Sequence, residues 1–326
     1  MQSNDDFRTL KVSKNEIRNF KRLDVFLNSK FSDLSRTFIK KLFEKNLITT
    51  DSNELLSLKK MPQNELEITL EVPPPPPSAA VAQNLPLEIL YEDEHLVFIN
   101  KEAGRVTHPA PGNPDQTLVN ALLYHIPELQ NIDENKRPGI VHRLDKGTSG
   151  VMVVAKNRKC HEELSLLFQT HDIVREYQAL CWGDKISLKG TLESTLGRHP
   201  TNRKKMEINV PRGKFAKTHY HLLESFHKIS HLKLTLETGR THQIRVHLSR
   251  LLKCPLVCDS TYGHNSNRFN GVDERLEKIL KDYPYPLLHA RKLGFIHPFK
   301  NEPLEFQSPP PKIFKQTLEI LKEIDL

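Results

Sequence analysis

Three stretches hold residue types that could do acid–base or nucleophilic chemistry. The first is His142-Arg143-Leu144-Asp145-Lys146-Gly147-Thr148-Ser149-Gly150, set between the apolar runs Ile140–Val141 and Val151–Ala155. A carboxylate in a loop between buried runs must be paired or put to chemical use, because unpaired burial is costly. An Arg–Asp pair that only pins a turn is the commoner outcome for an arbitrary His-Arg-x-Asp. The second stretch is Gly239-Arg240-Thr241-His242-Gln243-Ile244-Arg245, entered from the apolar Leu234–Thr238. A strand there runs into a turn at Gly239 and a helix that Thr241 can cap. Arg245 and Leu248 share one face of that helix, while Arg240 and His242 stand at its start. The third is Val174–Trp182, an alternating strand holding Tyr177, where a packed core tyrosine is the ordinary reading.

The elements around these residues can be read from pattern. Val151–Ala155 has no alternation and reads as a strand covered on both faces. Leu96–Ile99 reads as another buried strand, Thr117 caps an amphipathic helix through His125, and a helix over His161–Thr170 turns Leu164, Leu167 and Phe168 inward. Near the N-terminus a short helix opens at Arg22–Leu27. Ser35 caps a second, with Phe38, Ile39, Leu42 and Phe43 on one face and Arg36, Lys40, Lys41 and Lys45 on the other. Asn46 can close it in the left-handed conformation. Leu47–Thr50 and Leu55–Leu58 read as a hairpin, and Leu66–Val72 as a half-buried strand. Five prolines, Pro73–Pro77, mark an extended spacer. The expected division is a tail over 1–20, a small module over 21–72, a linker over 73–86 and a main domain over 87–326.

The 326 residues carry a formal net charge of +8, which suits an anionic partner. No apolar run reaches the roughly 18 residues a spanning helix needs, so no membrane partner is expected. The acidic, polar N-terminus is unlike a secretory signal, and four cysteines in so long a chain fit reduced thiols and a cytoplasmic location. Cys254, Cys258 and His264 lack a second ligand pair at zinc spacing, so no metal is expected. The basic segment Arg198–Lys217 has no aromatic stripe and reads as phosphate-contacting surface or a solvated loop.

The His142–Gly150 string, with Arg-Pro-Gly upstream and Ala-Lys-Asn after it, resembles the signature of the RluA-type pseudouridine synthases. The Gly239–Arg245 string, the Arg175-x-Tyr177-x-Ala179 segment and Asp259-x-x-Tyr262-Gly263 are similar to further motifs of that family, although Cys258 stands where the family usually has glycine. The order of helix, basic helix, hairpin and strand in the N-terminal module resembles the S-four-type RNA-binding module. The resemblance implies an α+β fold with a mixed, mainly antiparallel sheet. It implies isomerisation of specific uridines to pseudouridine, most readily in large-subunit ribosomal RNA. It makes Asp145 the catalytic residue, Arg245 its guanidinium partner and Tyr177 the ring stacked on the target uracil. Arg143 becomes the side chain that fills the space left by an extruded base, with Arg36, Lys40, Lys41, Lys45, Arg240 and His242 as RNA contacts. The reaction moves a base from nitrogen to carbon linkage without redox change, so no cofactor is expected. A monomer is also expected.

Asp145 can serve as nucleophile at the anomeric carbon or as a base on the ribose, and the sequence leaves both open. Two other classes compete with this one. A binding protein that kept the fold has no need of Asp145, Tyr177 and Arg245 together. A glycoside-type hydrolase needs two carboxylates about 5 Å apart, and the first string supplies one.

Overall fold

The computed structural model describes residues 6–31, 34, 36–52, 54–73, 80–110, 112–131, 138–263 and 266–325. Ser35, Asn53, Arg137, His264 and most of the proline run lie outside the described residues, and so do the readings placed on them. The chain divides into two compact units, Met1–Ser78 and Ala79–Leu326.

In the first unit, apolar residues at helical spacing fold three helices over a small sheet. The elements are β1 (Asp6–Val12), α1 (Lys14–Asn19), α2 (Leu23–Lys30), α3 (Arg36–Glu44), β2 (Ile48–Thr50) and β3 (Leu66–Val72). Leu23, Phe26 and Leu27 of α2 meet Ile39 and Leu42 of α3 and Ile68 and Leu70 of β3 in one buried cluster. Asn46 adopts φ +59°, the left-handed close expected of it after α3. Two expectations are corrected. Residues 6–20 are not a tail: β1 pairs along its length with β3, and Ser13 and Glu16 form a reciprocal cap on α1. Leu47–Thr50 and Leu55–Leu58 do not form a hairpin: β2 pairs with β3 instead, and Leu55 is 96% exposed.

The second unit is α+β around one ten-stranded sheet. Its strands are β4 (Glu88–Glu92), β5 (Leu96–Lys101), β6 (Ser149–Ala155), β7 (Val174–Trp182), β8 (Lys189–Arg198), β9 (Met206–Ile208), β10 (Lys214–Phe226), β11 (Ile229–Leu236), β12 (Leu288–Ile296) and β13 (Pro303–Gln307). They run in the order β4-β5-β6-β12-β7-β11-β10-β8-β9, with β13 on β12. Among the described residues, only the β6–β12 pair is parallel. Helices α4 (Leu118–His125) and α6 (Gln243–Arg250) lie against one face, and α5 (Arg158–Thr170), α7 (Glu274–Leu280) and α8 (Lys312–Ile324) against the other. β6 is buried at every position, as its unbroken apolar run requires. Its two ends matter for the site: β6 follows the Asp145 loop, and its parallel neighbour β12 passes so close that a Cβ on Gly150 would sit 2.1 Å from the Ala290 carbonyl oxygen. Gly150, at φ +120°, is the residue that permits this.

Candidate active site

Asp145 sits in the loop between the Ile140–Val154 bridge and β6. That loop is held from behind by backbone and side-chain donors. Gly104 N–H donates to the Lys146 carbonyl at 2.7 Å, Thr107 Oγ1 to the Leu144 carbonyl at 3.1 Å, and Thr148 N–H to the Asp145 carbonyl at 3.0 Å. Lys101, at the end of β5 and 1% exposed, donates to the carbonyls of Thr148 (2.8 Å), Glu102 (2.9 Å) and Lys146 (3.3 Å). Burial pulls its ammonium down to about 7, against the opposing pull of the Asp145 and Glu102 charges. Leu144 turns into the core beside α4. His142 turns away from Asp145 altogether: it stacks on Phe168 at 4.4 Å and accepts the Val153 N–H at 3.1 Å, and burial lowers its pKa to about 3.

Arg245, on α6, brings the two motifs together across 100 residues. Its Nη1 donates to Asp145 Oδ2 at 3.3 Å. Its Nε and Nη2 donate in a fork to Asp259, at 2.8 and 2.9 Å. Asp259 is fully buried in side chain and also accepts the N–H groups of Thr261 and Tyr262. Burial works against the Arg245 charge, but its bonds to Asp259 and the two nearby carboxylates outweigh that, so its pKa is raised. The Tyr262 ring lies 5.1 Å from the guanidinium carbon, a cation–π contact.

The start of α6 differs from expectation. Thr241 does not cap it. The residue before the helix is His242, at φ +56°, and the turn is closed by Gln243, whose Oε1 accepts from Arg240 N–H (2.9 Å) and Thr238 Oγ1 (2.8 Å). This turn places His242 Nε2 3.8 Å from Asp145 Oδ2, while its Nδ1 meets Tyr262 Oη at 2.8 Å. Burial lowers the His242 pKa, partly opposed by Asp145.

One cavity is lined by Arg143, Asp145, Tyr177, Arg240, His242 and Arg245, together with Thr148, Gly239 and Gln243. The residues singled out in the second unit therefore converge. Tyr177 reaches it from the middle of β7, between Leu234 of β11 and Ala290 of β12, and burial raises its pKa to about 12, which keeps the phenol protonated. Arg240 also donates through Nε to the Phe215 carbonyl at 3.1 Å. In the first unit, Lys41 and Lys45 are exposed, Lys40 pairs loosely with Glu44 (3.5 Å), and Arg36 is tied to Asp24 at 2.6 Å. Sequence pattern assigned no role to Lys101, Asp259 or Tyr262. A lysine closing the apolar run Leu96–Ile99 was the one local sign, since such a run ends inside the protein.

Among the described residues no group of three or more His, Cys, Asp or Glu is placed to hold a metal ion, and no helix is long and apolar enough to cross a membrane.

The fold is α+β, a mixed sheet with an aspartate in the loop before β6 and a shared arginine on α6, and comparison with known proteins gives its class. The chain belongs to the RNA pseudouridylate synthase family, whose model matches residues 95–250. It is 39% identical, over 93% of its own length and 92% of the relative's, to ribosomal large subunit pseudouridine synthase D of Pseudomonas aeruginosa. It is 40% identical to the protein of that name from Zymomonas mobilis, over 92% of this chain and 93% of the other. Of solved structures, human RNA pseudouridylate synthase domain containing 4 superposes with a TM-score of 0.57 at 27% identity, covering 72% of this chain and 93% of that one.

Proposed function

We propose that this protein isomerises specific uridines of large-subunit ribosomal RNA, with Asp145 as the catalytic carboxylate. The observation that carries the reading is the single bond Asp145 receives from an arginine already committed to Asp259. That arrangement orients a carboxylate at a cavity wall without saturating it. Membership of the family already makes the chain an isomerase acting on RNA uridines.

The C1′–N1 bond breaks with its electron pair leaving on uracil. Asp145 assists either by bonding to C1′ or by taking a ribose proton. The ring then turns and C5 joins C1′, which releases the carboxylate from C1′ in the first case and is accompanied by return of the ribose proton from Asp145 in the second. The free carboxylate then takes the C5 proton and passes it through water to N1. Nothing is oxidised or added, so no cofactor is required. Arg143 lies two residues before Asp145 and fills the stack when the uridine leaves it, at a cost of a few kcal/mol for flipping. Tyr177 stacks on the extruded ring. Arg240 and His242 line the approach, and the unit spanning residues 21–72, now extended by β1 and α1, holds RNA through Lys40, Lys41 and Lys45. Arg36 serves that unit through its bond to Asp24 as well as by charge. The main domain expected over 87–326 also takes in residues 80–86, where Gln83 N–H donates to the Asn120 carbonyl at 2.9 Å and Asn120 Nδ2 to the Val81 carbonyl at 2.7 Å, so the linker is shorter than the expected 73–86. The same reading has the protein act as a monomer in the cytoplasm.

The test is a carbodiimide primer-extension map of ribosomal RNA from cells with and without the gene. Loss of stops at defined large-subunit positions, restored by the wild type and not by Asp145→Asn, is the expected result. An unchanged map in all RNA classes would return the protein to the binding-protein class.

A further inference from the structure

The proposed isomerisation leaves uracil detached for part of the cycle, carrying negative charge shared between O2 and O4. Something must receive that charge without neutralising Asp145. The cavity's arginines have other work: Arg245 directs Nε and Nη2 at Asp259 and Nη1 at Asp145, Arg240 directs Nε at the Phe215 carbonyl, and Arg143 is assigned to the space the base leaves. The Gln243 amide is spent on the Lys217 carbonyl and Thr218 Oγ1, both at 3.0 Å. His242 differs. Its Nε2 faces the cavity 3.8 Å from Asp145 Oδ2, beyond hydrogen-bond length.

The proton on that nitrogen can be set from behind. Tyr262 Oη accepts the Met206 N–H at 2.7 Å, so its own proton is available to His242 Nδ1 at 2.8 Å. A phenol that donates to Nδ1 leaves the imidazole proton on Nε2. Burial holds the ring neutral, with Asp145, Arg143, Arg245 and Asp259 the charges around it. The backbone of His242 is left-handed, a conformation unfavourable for a residue with a Cβ. That strained turn is what aims the ring at Asp145 and away from α6.

We propose that His242 Nε2–H, set by Tyr262, is the neutral donor that holds uracil oxygen throughout the isomerisation. This rests on the proposed function and names a contact within it. Uracil has an approximate symmetry about its N3···C6 line. A half-turn about that line exchanges N1 with C5 and, with them, O2 with O4. A fixed donor beside the anomeric carbon therefore meets O2 while the base is nitrogen-linked and O4 once it is carbon-linked. One histidine serves both ends of the rotation.

The test is a cycle of single-turnover rates on full-length protein. It pairs wild type and His242→Ala with a ribosomal RNA fragment carrying uridine, 2-thiouridine or 4-thiouridine at the target, since sulfur accepts hydrogen bonds poorly. Removal of a donor to developing negative charge costs about 100-fold, so His242→Ala is expected to slow the unmodified substrate by about that factor, with RNA affinity lowered by no more than a few fold. Thio-substitution is expected to slow the wild type about tenfold and His242→Ala less than twofold. His242→Gln, which keeps an N–H, is expected to recover part of the rate, and His242→Phe, which keeps a ring without a donor, stands in for the alanine variant if that variant fails to fold. Equal thio effects in wild type and the donor-less variant would overturn the inference while leaving the isomerase intact. No product from wild type with unmodified RNA would instead count against the proposed function.

Discussion

Asp24 in the first unit and Asp145 in the second are both partly buried aspartates tied to arginine, yet the stoichiometry is reversed. Asp24 has two arginines to itself: Arg22 through Nε (2.9 Å) and Nη2 (3.1 Å), and Arg36 through Nη2 (2.6 Å) and Nε (3.2 Å). Hydrogen bonds from Arg22, then Arg36, hold its carboxyl down to about 2. Both guanidiniums are about half exposed, so the surplus charge is positive and faces water. At the site one buried arginine serves two aspartates, and the surplus is negative and faces a cavity. A carboxylate saturated by cations is a pin between α2 and α3. A carboxylate given one bond of 3.3 Å is held in place and still able to react. The ratio of arginine to carboxylate, more than burial or proximity, separates the two uses.

Breaking the reactive half should give the largest effect. Asp145→Asn keeps the shape and removes the charge; the expected loss is about 1,000-fold or more in single-turnover rate, with RNA affinity within a few fold. Arg245→Lys comes next. An ammonium cannot fork onto Asp259 and still reach Asp145, so a loss of about 100-fold in rate is expected, read in the same assay. Asp259→Asn sharpens the ratio: it turns one arginine between two carboxylates into a plain pair. Arg245 is then free to close on Asp145, and a rate loss of about tenfold is expected together with roughly 3 kcal/mol in stability by urea unfolding, the scale for breaking a buried pair. An Asp259→Asn enzyme as fast as wild type would mean that the second carboxylate does not tune the first.

Much of the cavity's lining was legible because its parts are compact strings. Asp145, Tyr177 and Arg245 each sit in a motif whose residue types are distinctive over fewer than ten positions, and all three line one cavity. Asp259 and Tyr262 were visible as a motif, yet their roles depend on contacts with α6 that no local pattern encodes. The Thr241 cap failed for a related reason: Gln243 closes that turn through Thr238 and Arg240, leaving His242 in a left-handed backbone that side-chain preference disfavours. In the first unit the errors were of strand partnership. β1 and β2 both pair with β3, in β1's case across about 60 residues, and pattern gives a strand without naming its partner. Leu55 and Leu58 looked like half of a hairpin because they are apolar, and an exposed leucine is not rare enough to warn against it.

The smallest effect belongs to the pin. Asp24→Asn removes the charge that Arg22 and Arg36 share, so α2 and α3 should loosen without touching chemistry. On a short RNA held by the second unit alone, the single-turnover rate should be unchanged; on longer ribosomal RNA, affinity should fall a few fold as Arg36, Lys40 and Lys41 lose their fixed placement. Acid gives the cleaner reading. The folded Asp24 carboxyl, at about 2, lies below the usual carboxylate value of about 3.9. A group depressed in the folded state stabilises fully above its unfolded value and loses that contribution as pH falls toward its folded one. Wild type should therefore lose on the order of 2 kcal/mol of first-unit stability between about pH 5 and 2, followed by amide exchange in α2 and α3. The Asp24→Asn variant should start that much lower and lack this part of the slope. Identical slopes would show that the two arginines do not hold Asp24 as a pin.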